Sequence, residues 1–249
     1  MKKVLYFKKK SIFLICMCVL LLLLCPYIVL VVVPIQPASM YEDPMSGIIV
    51  IDPGHGGIDG GATKNNIFEK NINLDTSLKL KALLTQRGYK VIMTREEDIS
   101  LEANGSGSNR HRKDLNARVN MVNNSNAQLF VSIHTNYSPK KSSANGSIVF
   151  YNKRYEQNVF LAYNIQRALN SISMGGMVRT IHNPVAEKYY ILDRAKIPGV
   201  LVEIGFLTNT REIELLKKDE FREYVAEAIM SGIDGYLVKP ILKQNTKFE

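Results

Sequence analysis

Four side chains in this sequence are of the types that cleave an amide with the help of a metal: His55, Glu69, His134 and Glu203. Two neutral imidazoles and one carboxylate supply three ligands of a catalytic zinc site and leave a fourth position for water. Zinc bound in that way lowers the pKa of the water to roughly 7 and polarises a substrate carbonyl. A second carboxylate that is not a ligand takes the water's proton and passes it to the leaving amine. Glu203 suits that role, because it stands between Val202 and Ile204 in an apolar run. A carboxylate buried there is costly unless it works or is paired. Taken singly, each residue also has a plainer use. His134 serves as a hydrogen-bonded residue at a strand end, Glu69 as a helix N-terminal acid favoured by the helix dipole, and Glu203 as half of a buried ion pair. No HExxH pair occurs in the sequence, so spacing alone does not single out a metal.

The stretch that presents His55 reads Asp52-Pro53-Gly54-His55-Gly56-Gly57, directly after the apolar residues 47–51. The apolar run is a rigid anchor, and the glycines allow positive φ and keep side chains clear, leaving room for a substrate beside the metal. Asp52 is expected to orient the His55 imidazole from behind, with a turn-forming use ahead of Pro53 as the alternative. His111 lies in a basic loop and reads as solvated; His182, before Asn183-Pro184, reads as a turn residue.

Positioning these residues requires strands whose ends meet. The fold class expected is α/β, a twisted, mostly parallel β-sheet flanked by helices and preceded by one N-terminal hydrophobic helix. Apolar runs at 47–51, 89–93, 129–133, 147–151 and 200–204 read as strands, with a shorter candidate at 189–192. Helical periodicity covers 72–86, 114–123, 155–169 (with Val159, Ala162, Tyr163, Ile165 and Leu169 inward) and 220–237. A capping box at Asn209–Glu212 starts another helix. The strand–helix–strand order at the start implies parallel pairing, and the C-terminal strand ends of such a sheet form the rim where ligands bind. Residues 104–109, rich in glycine and serine, read as a flexible loop.

The motifs Asp52-Pro-Gly-His55-Gly-Gly-x-Asp59-x-Gly-Ala62, Glu69-Lys70, Thr94-Arg95, Ser132-Ile-His134-x-Asn136 and Val202-Glu203-x-Gly-Phe-Leu-Thr-Asn209 together resemble the zinc-dependent N-acetylmuramoyl-L-alanine amidase family, the amidase_3 group. The resemblance spans about 47–237. It implies His55, Glu69 and His134 as zinc ligands, Glu203 as the catalytic carboxylate, and peptidoglycan as substrate. The bond cut would be the amide between the lactyl group of muramic acid and L-alanine of the stem peptide. Asn136 is a candidate to steady the oxyanion. Within the family, the compact chain and the segment around Asp114–Arg118 resemble the germination-specific amidases, which act on spore cortex and prepare muramic-δ-lactam formation. A vegetative wall amidase, a wall-binding scaffold with a dead site and another zinc hydrolase of the wall are the alternatives.

Four segments follow from the sequence: a signal or anchor segment at 1–33, a linker at 34–46, the catalytic domain at 47–238 and a basic tail at 239–249. Residues 12–33 carry no charge, enough to cross a bilayer as a helix, and the five lysines before them place the N-terminus inside the cell. No good cleavage site follows, which favours a retained anchor over a cleaved signal. The domain is therefore expected outside the cytoplasmic membrane, in the wall or the forespore intermembrane space. All three cysteines lie before residue 26, so the exported part holds no disulfide and no thiolate site. The chain's net charge is +9, and +6 remains once residues 1–45 are set aside. That balance suits an anionic wall or lipid surface rather than nucleic acid. An exported activating protein that orders the 96–113 loop is a further expected partner.

Overall fold

In the computed structural model, residues 47–174, 176 and 178–244 are described. The expected N-terminal hydrophobic helix and linker fall outside them. Among the described residues, no helix is long and apolar enough to cross a membrane.

The strand that ends at the glycine motif, β1 (Ile48–Pro53), has Ile49, Val50 and Ile51 fully buried because helices cover the sheet on both sides. It pairs in parallel with β4 (Lys90–Met93) on one side and β5 (Leu129–Asn136) on the other. Next to β5 lies β8 (Gly199–Phe206), also parallel. The sheet closes with β6 (Ile148–Tyr151), antiparallel to β8, and the two-residue edge strand β7 (Val185–Ala186). The order β4-β1-β5-β8-β6-β7 is thus a mostly parallel sheet whose last two strands run the other way.

Alternation along the strands sorts the two cores. Ile49, Ile51, Val131, Ile133, Val200 and Val202 face α1 (Glu69–Gln86), α3 (Glu156–Asn170) and α6 (Asp219–Gln244). Val50, Phe130 and Leu201 face the other way, against α2 (Arg110–Asn123) and α4 (Tyr190–Arg194). The helices form where their apolar spacing predicts. In α1, Ile72, Thr76, Leu80 and Leu84 are buried at helical intervals, and in α6 Phe221, Val225, Ala228, Ile229 and Ile233 are. The short α5 (Thr210–Leu216) is capped by Asn209, whose side chain accepts from the Arg211 and Glu212 amides. The reciprocal half of the expected box is missing. The Glu212 carboxylate turns inward to accept from the Phe206 and Gly146 amides and to pair with Arg179 at 2.7 Å.

Several local expectations are corrected. Residues 190–194 form one helical turn, not a strand. The Asp193 amide bonds Tyr189 O and the Ala195 amide bonds Ile191 O, and the turn buries Ile191 and Leu192 together. Tyr163 is exposed, and Leu161 fills the core position on α3. α6 continues past residue 237 to Gln244. A small hairpin, β2 (Thr63–Lys64) and β3 (Ile67–Phe68), precedes α1. The glycine-rich 104–109 loop is mostly exposed, yet it is tied to the helix that follows it. α2 begins at Arg110, four residues earlier than expected, capped by Asn109, which accepts from the Arg112 amide at 2.8 Å. The Leu101 amide donates to Asp114 at 2.8 Å, and Asn116 bonds the Ser106 carbonyl. A Cβ added to Gly105 would sit 1.8 Å from the Lys113 carbonyl oxygen.

Candidate metal centre

Pairing register places His134 of β5 beside Glu203 of β8 in neighbouring strands. β1 delivers the glycine turn next to β5, with Pro53 opposite Ile133, and α1 opens at Glu69 directly after the β2–β3 hairpin. The Glu69 amide bonds Ala62 O at 2.9 Å and the Lys70 amide bonds Gly60 O at 3.2 Å, so the start of α1 is tied to the glycine loop.

These elements bring His55, Glu69 and His134 together, with one potential ligand atom from each within 4.8 Å of the others. Glu69 Oε1 lies 3.2 Å from His55 Nε2 and 3.1 Å from His134 Nδ1. The same oxygen accepts from the Thr135 amide at 3.1 Å and from Asn73 at 3.3 Å, while Oε2 accepts from the Ala62 amide at 2.9 Å. Burial would raise the Glu69 pKa, but the two imidazoles outweigh that and hold it far below the usual range. Burial alone would lower the His55 pKa, but the Asp59 and Glu69 carboxylates outweigh it and raise the imidazole to about 10. The cluster is built to hold positive charge, whether as protons on the imidazoles or as a cation between them. Its two nitrogens and one oxygen match the donor set of a catalytic zinc.

Asp59, not Asp52, orients His55. Its Oδ2 lies 2.8 Å from His55 Nδ1, which leaves Nε2 for the metal side, and its Oδ1 accepts from the Gly61 amide at 3.0 Å. The contact with His55 draws the Asp59 pKa down to about 2. A carboxylate on the far nitrogen of a ligand histidine fixes its tautomer and raises its basicity. Asp59→Asn is therefore expected to weaken zinc binding by about 10–100-fold, read by competition with a chromophoric chelator. The raised His55 pKa has a signed consequence for metal-free protein. Its stabilisation is complete below pH 6.5 and is lost as the pH rises through about 10. Melting temperature in chelator should fall over that window, and fall less in Asp59→Asn, whereas metal uptake, which needs neutral imidazole, should strengthen.

Asp52 is fully committed elsewhere. It accepts from Thr94 at 2.6 Å, Ser132 at 2.6 Å and Arg118 at 2.8 Å, because it points under the turn while His55 points over it. Arg118 also donates to Pro53 O at 2.7 Å, His55 O at 2.6 Å and Asp114 at 2.6 Å. Arg95 donates to Pro53 O at 3.0 Å and to Gly54 O and Lys70 O at 2.9 Å each. Two buried guanidinium groups thus clamp three successive carbonyls of the turn. They hold His55 at φ 61°, a left-handed conformation that costs a non-glycine residue about 1–2 kcal/mol. Neither arginine was assigned a role from the sequence; the signal available was Arg118 set between Ala117 and Val119 on the inward side of a helix.

The glycines have a different use from the one expected. A Cβ on Gly54 would lie 2.2 Å from His134 Cε1, and one on Gly61 would lie 2.7 Å from both Glu69 Oε2 and His55 Cδ2. Room is left for the ligand side chains themselves rather than for substrate. Gly54→Ala should displace the His134 ring and abolish stoichiometric metal binding, measured by elemental analysis of the purified protein.

Glu203 is 9% exposed, and its Oε2 is buried without a hydrogen-bond partner among the described residues. Burial and the neighbouring Glu69 charge push its pKa well up, with His55 opposing. An orphaned carboxylate beside the donor cluster is what a proton-accepting group looks like before its water arrives. Asn136 ends β5 half-buried, its carbonyl taken by the Leu207 amide at 2.8 Å. His111 stands exposed on the first turn of α2, and with His55 and Asp59 it lines the cleft beside the cluster. His182 is held by the Asn145 carbonyl at 2.8 Å, away from the cluster.

Comparison with known proteins agrees with this geometry. Residues 49–235 match the N-acetylmuramoyl-L-alanine amidase family model. The germination-specific N-acetylmuramoyl-L-alanine amidase of Bacillus subtilis (strain 168) is 37% identical over 201 residues, covering 79% of this chain and 82% of that one. Among solved structures, the CwlD amidase from Clostridioides difficile, determined in complex with the GerS lipoprotein, superposes with a TM-score of 0.70 at 38% identity, covering 77% of this chain and 98% of that one. The catalytic domain of CwlV, an N-acetylmuramoyl-L-alanine amidase from Bacillus (Paenibacillus) polymyxa var. colistinus, superposes with a TM-score of 0.64 at 29% identity, covering 77% and 98%.

Proposed function

Because the chain belongs to the N-acetylmuramoyl-L-alanine amidase family, and so to the peptidoglycan amidases, we propose that it uses zinc to cut the muramoyl–L-alanine amide of spore cortex before muramic-δ-lactam forms. One observation carries the metal-dependent reading: the orphaned Glu203 carboxylate lies beside a two-histidine, one-glutamate cluster. Zinc held by His55, Glu69 and His134 would polarise the amide carbonyl and acidify a bound water. Glu203 would take a proton from the attacking water and return it to the alanine nitrogen as the carbon–nitrogen bond breaks. Asn136, at the end of β5, would steady the oxygen that gains charge.

The cortex assignment draws on the likeness to a germination-specific amidase, and the site of action, outside the cytoplasmic membrane and anchored by the N-terminal segment, follows the charge-free run at 12–33. An exported partner protein is part of the same proposal, since the CwlD amidase was solved with a lipoprotein bound. Muropeptide mass spectrometry of spores with and without this protein tests the reading. Loss of muramic-δ-lactam in its absence is expected. Cortex with normal lactam alongside altered vegetative wall would replace the cortex role with a vegetative one.

A further inference from the structure

The cleft beside the metal donors is a cavity of about 240 Å³, and two consecutive tyrosines, Tyr189 and Tyr190, line it together with His55, His134 and Leu201. Tyr190 is already employed. Its hydroxyl lies 2.5 Å from Asn116 Oδ1, and its ring is flanked by the guanidinium groups of Arg112 at 4.2 Å and Arg194 at 5.6 Å. These contacts fix the start of α4, and with it the backbone of Tyr189, whose carbonyl accepts from the Asp193 amide at 2.9 Å. The Tyr189 ring stands edge-on to Phe150 at 5.1 Å and 80°, a fixed orientation. Its hydroxyl makes no hydrogen bond among the described residues, so a held donor faces a cleft that lacks a partner for it.

Resting on the hydrolytic reading above, we propose that Tyr189 is a further catalytic residue: its phenolic hydroxyl donates a hydrogen bond to the substrate's amide carbonyl oxygen in the cleft it shares with His55 and His134. The bond strengthens as water adds to the carbonyl carbon and charge gathers on that oxygen. Tyr189 gives up no proton; the water's proton goes to Glu203 and then to the departing alanine amine. Burial first, then the Glu203 and Glu187 charges, raise the phenol to about 12, so it stays a donor throughout the working pH range. A donor held in place where charge develops needs no reorganisation at the moment of reaction.

Tyr189→Phe keeps the ring and its contact with Phe150 and removes only the hydroxyl. The experiment compares wild type and Tyr189→Phe on a purified N-acetylmuramoyl-peptide, with zinc content and melting temperature measured on the same samples. The expected result is a kcat lower by about 10²-fold, with KM, zinc content and melting temperature unchanged. An unchanged kcat in Tyr189→Phe beside an active wild type overturns this inference alone, as does a loss confined to KM or to zinc content. A zinc-loaded wild type that releases no stem peptide overturns the hydrolytic reading and this inference together.

Discussion

Glu203→Gln should lower the rate of stem-peptide release by about 10²–10⁴-fold while leaving zinc content at the wild-type level. The amide is close to the carboxylate in shape, so the variant keeps the packing of β8, and the three metal donors lie on other elements. What disappears is the one group beside the cluster that is buried, ionisable and without a hydrogen-bond partner among the described residues. The substitution also removes a group whose charged form is disfavoured by burial and by Glu69. Glutamine titrates nowhere, so the variant should fold at least as stably as the wild type. Loss of activity with a raised or equal melting temperature separates a chemical role from a structural one. Retained turnover in a zinc-loaded Glu203→Gln protein would remove Glu203 from the mechanism. The acid limb of the wild-type pH profile belongs to the same group: the base must be ionised, so activity should rise with pH through its pKa and be lost below it.

The largest effect on stability is expected at Arg118. Its side chain is 3% exposed and faces Asp52 at 2.8 Å and Asp114 at 2.6 Å. Arg118→Met fills much of the same space but leaves the buried Asp52 charge without its guanidinium and the His55 carbonyl without its donor. Removing one partner of a buried pair in this way costs about 3–5 kcal/mol. Denaturant unfolding of the metal-free protein should show that loss. Arg118→Met combined with Asp52→Asn should lose less than the two single changes summed, because they share one interaction. The damage should also reach the metal. The Arg118 bond to the His55 carbonyl holds that residue in its left-handed conformation, so zinc affinity should fall alongside stability. Unchanged stability in Arg118→Met would mean that the clamp is decorative.

Much of the frame could be read before any coordinates. β1, β5 and β8 are unbroken apolar runs, and a run of that kind buried on both faces has few other uses. α1 and α6 carry regular apolar intervals. His134 and Glu203 were legible at the end of, or inside, such runs and His55 just beyond one, whereas Glu69 was carried by the motif it opens. The misses share a cause: none leaves a pattern longer than a few residues. The β2–β3 hairpin has two-residue strands, and its one cue is Asn65-Asn66, both at positive φ, which suits a tight hairpin turn. The turn at 190–194 reads as strand by composition, and only packing against β8 and α2 makes it helical. Asp52 looked like the partner of His55 because it is near in sequence. The left-handed backbone at His55 swings the ring to Asp59 instead, and no periodicity encodes that swing. Arg95 sits in a polar segment that gives no hint of turning inward.

The single amide of Ala62 also bears on which ion the cluster prefers. Glu69 offers Oε1 to the histidines, while Oε2 is occupied by the Ala62 backbone at 2.9 Å. An ion among the three donors therefore meets one carboxylate oxygen, not two. Zinc accepts a one-oxygen carboxylate readily, whereas calcium seeks six to eight oxygens and often takes both from the same carboxylate. A larger cation that took both oxygens would have to share Oε2 with the Ala62 amide. Any preference of the cluster for a small ion would thus be set partly by the backbone of the loop before the hairpin, at a residue whose own side chain is a methyl group.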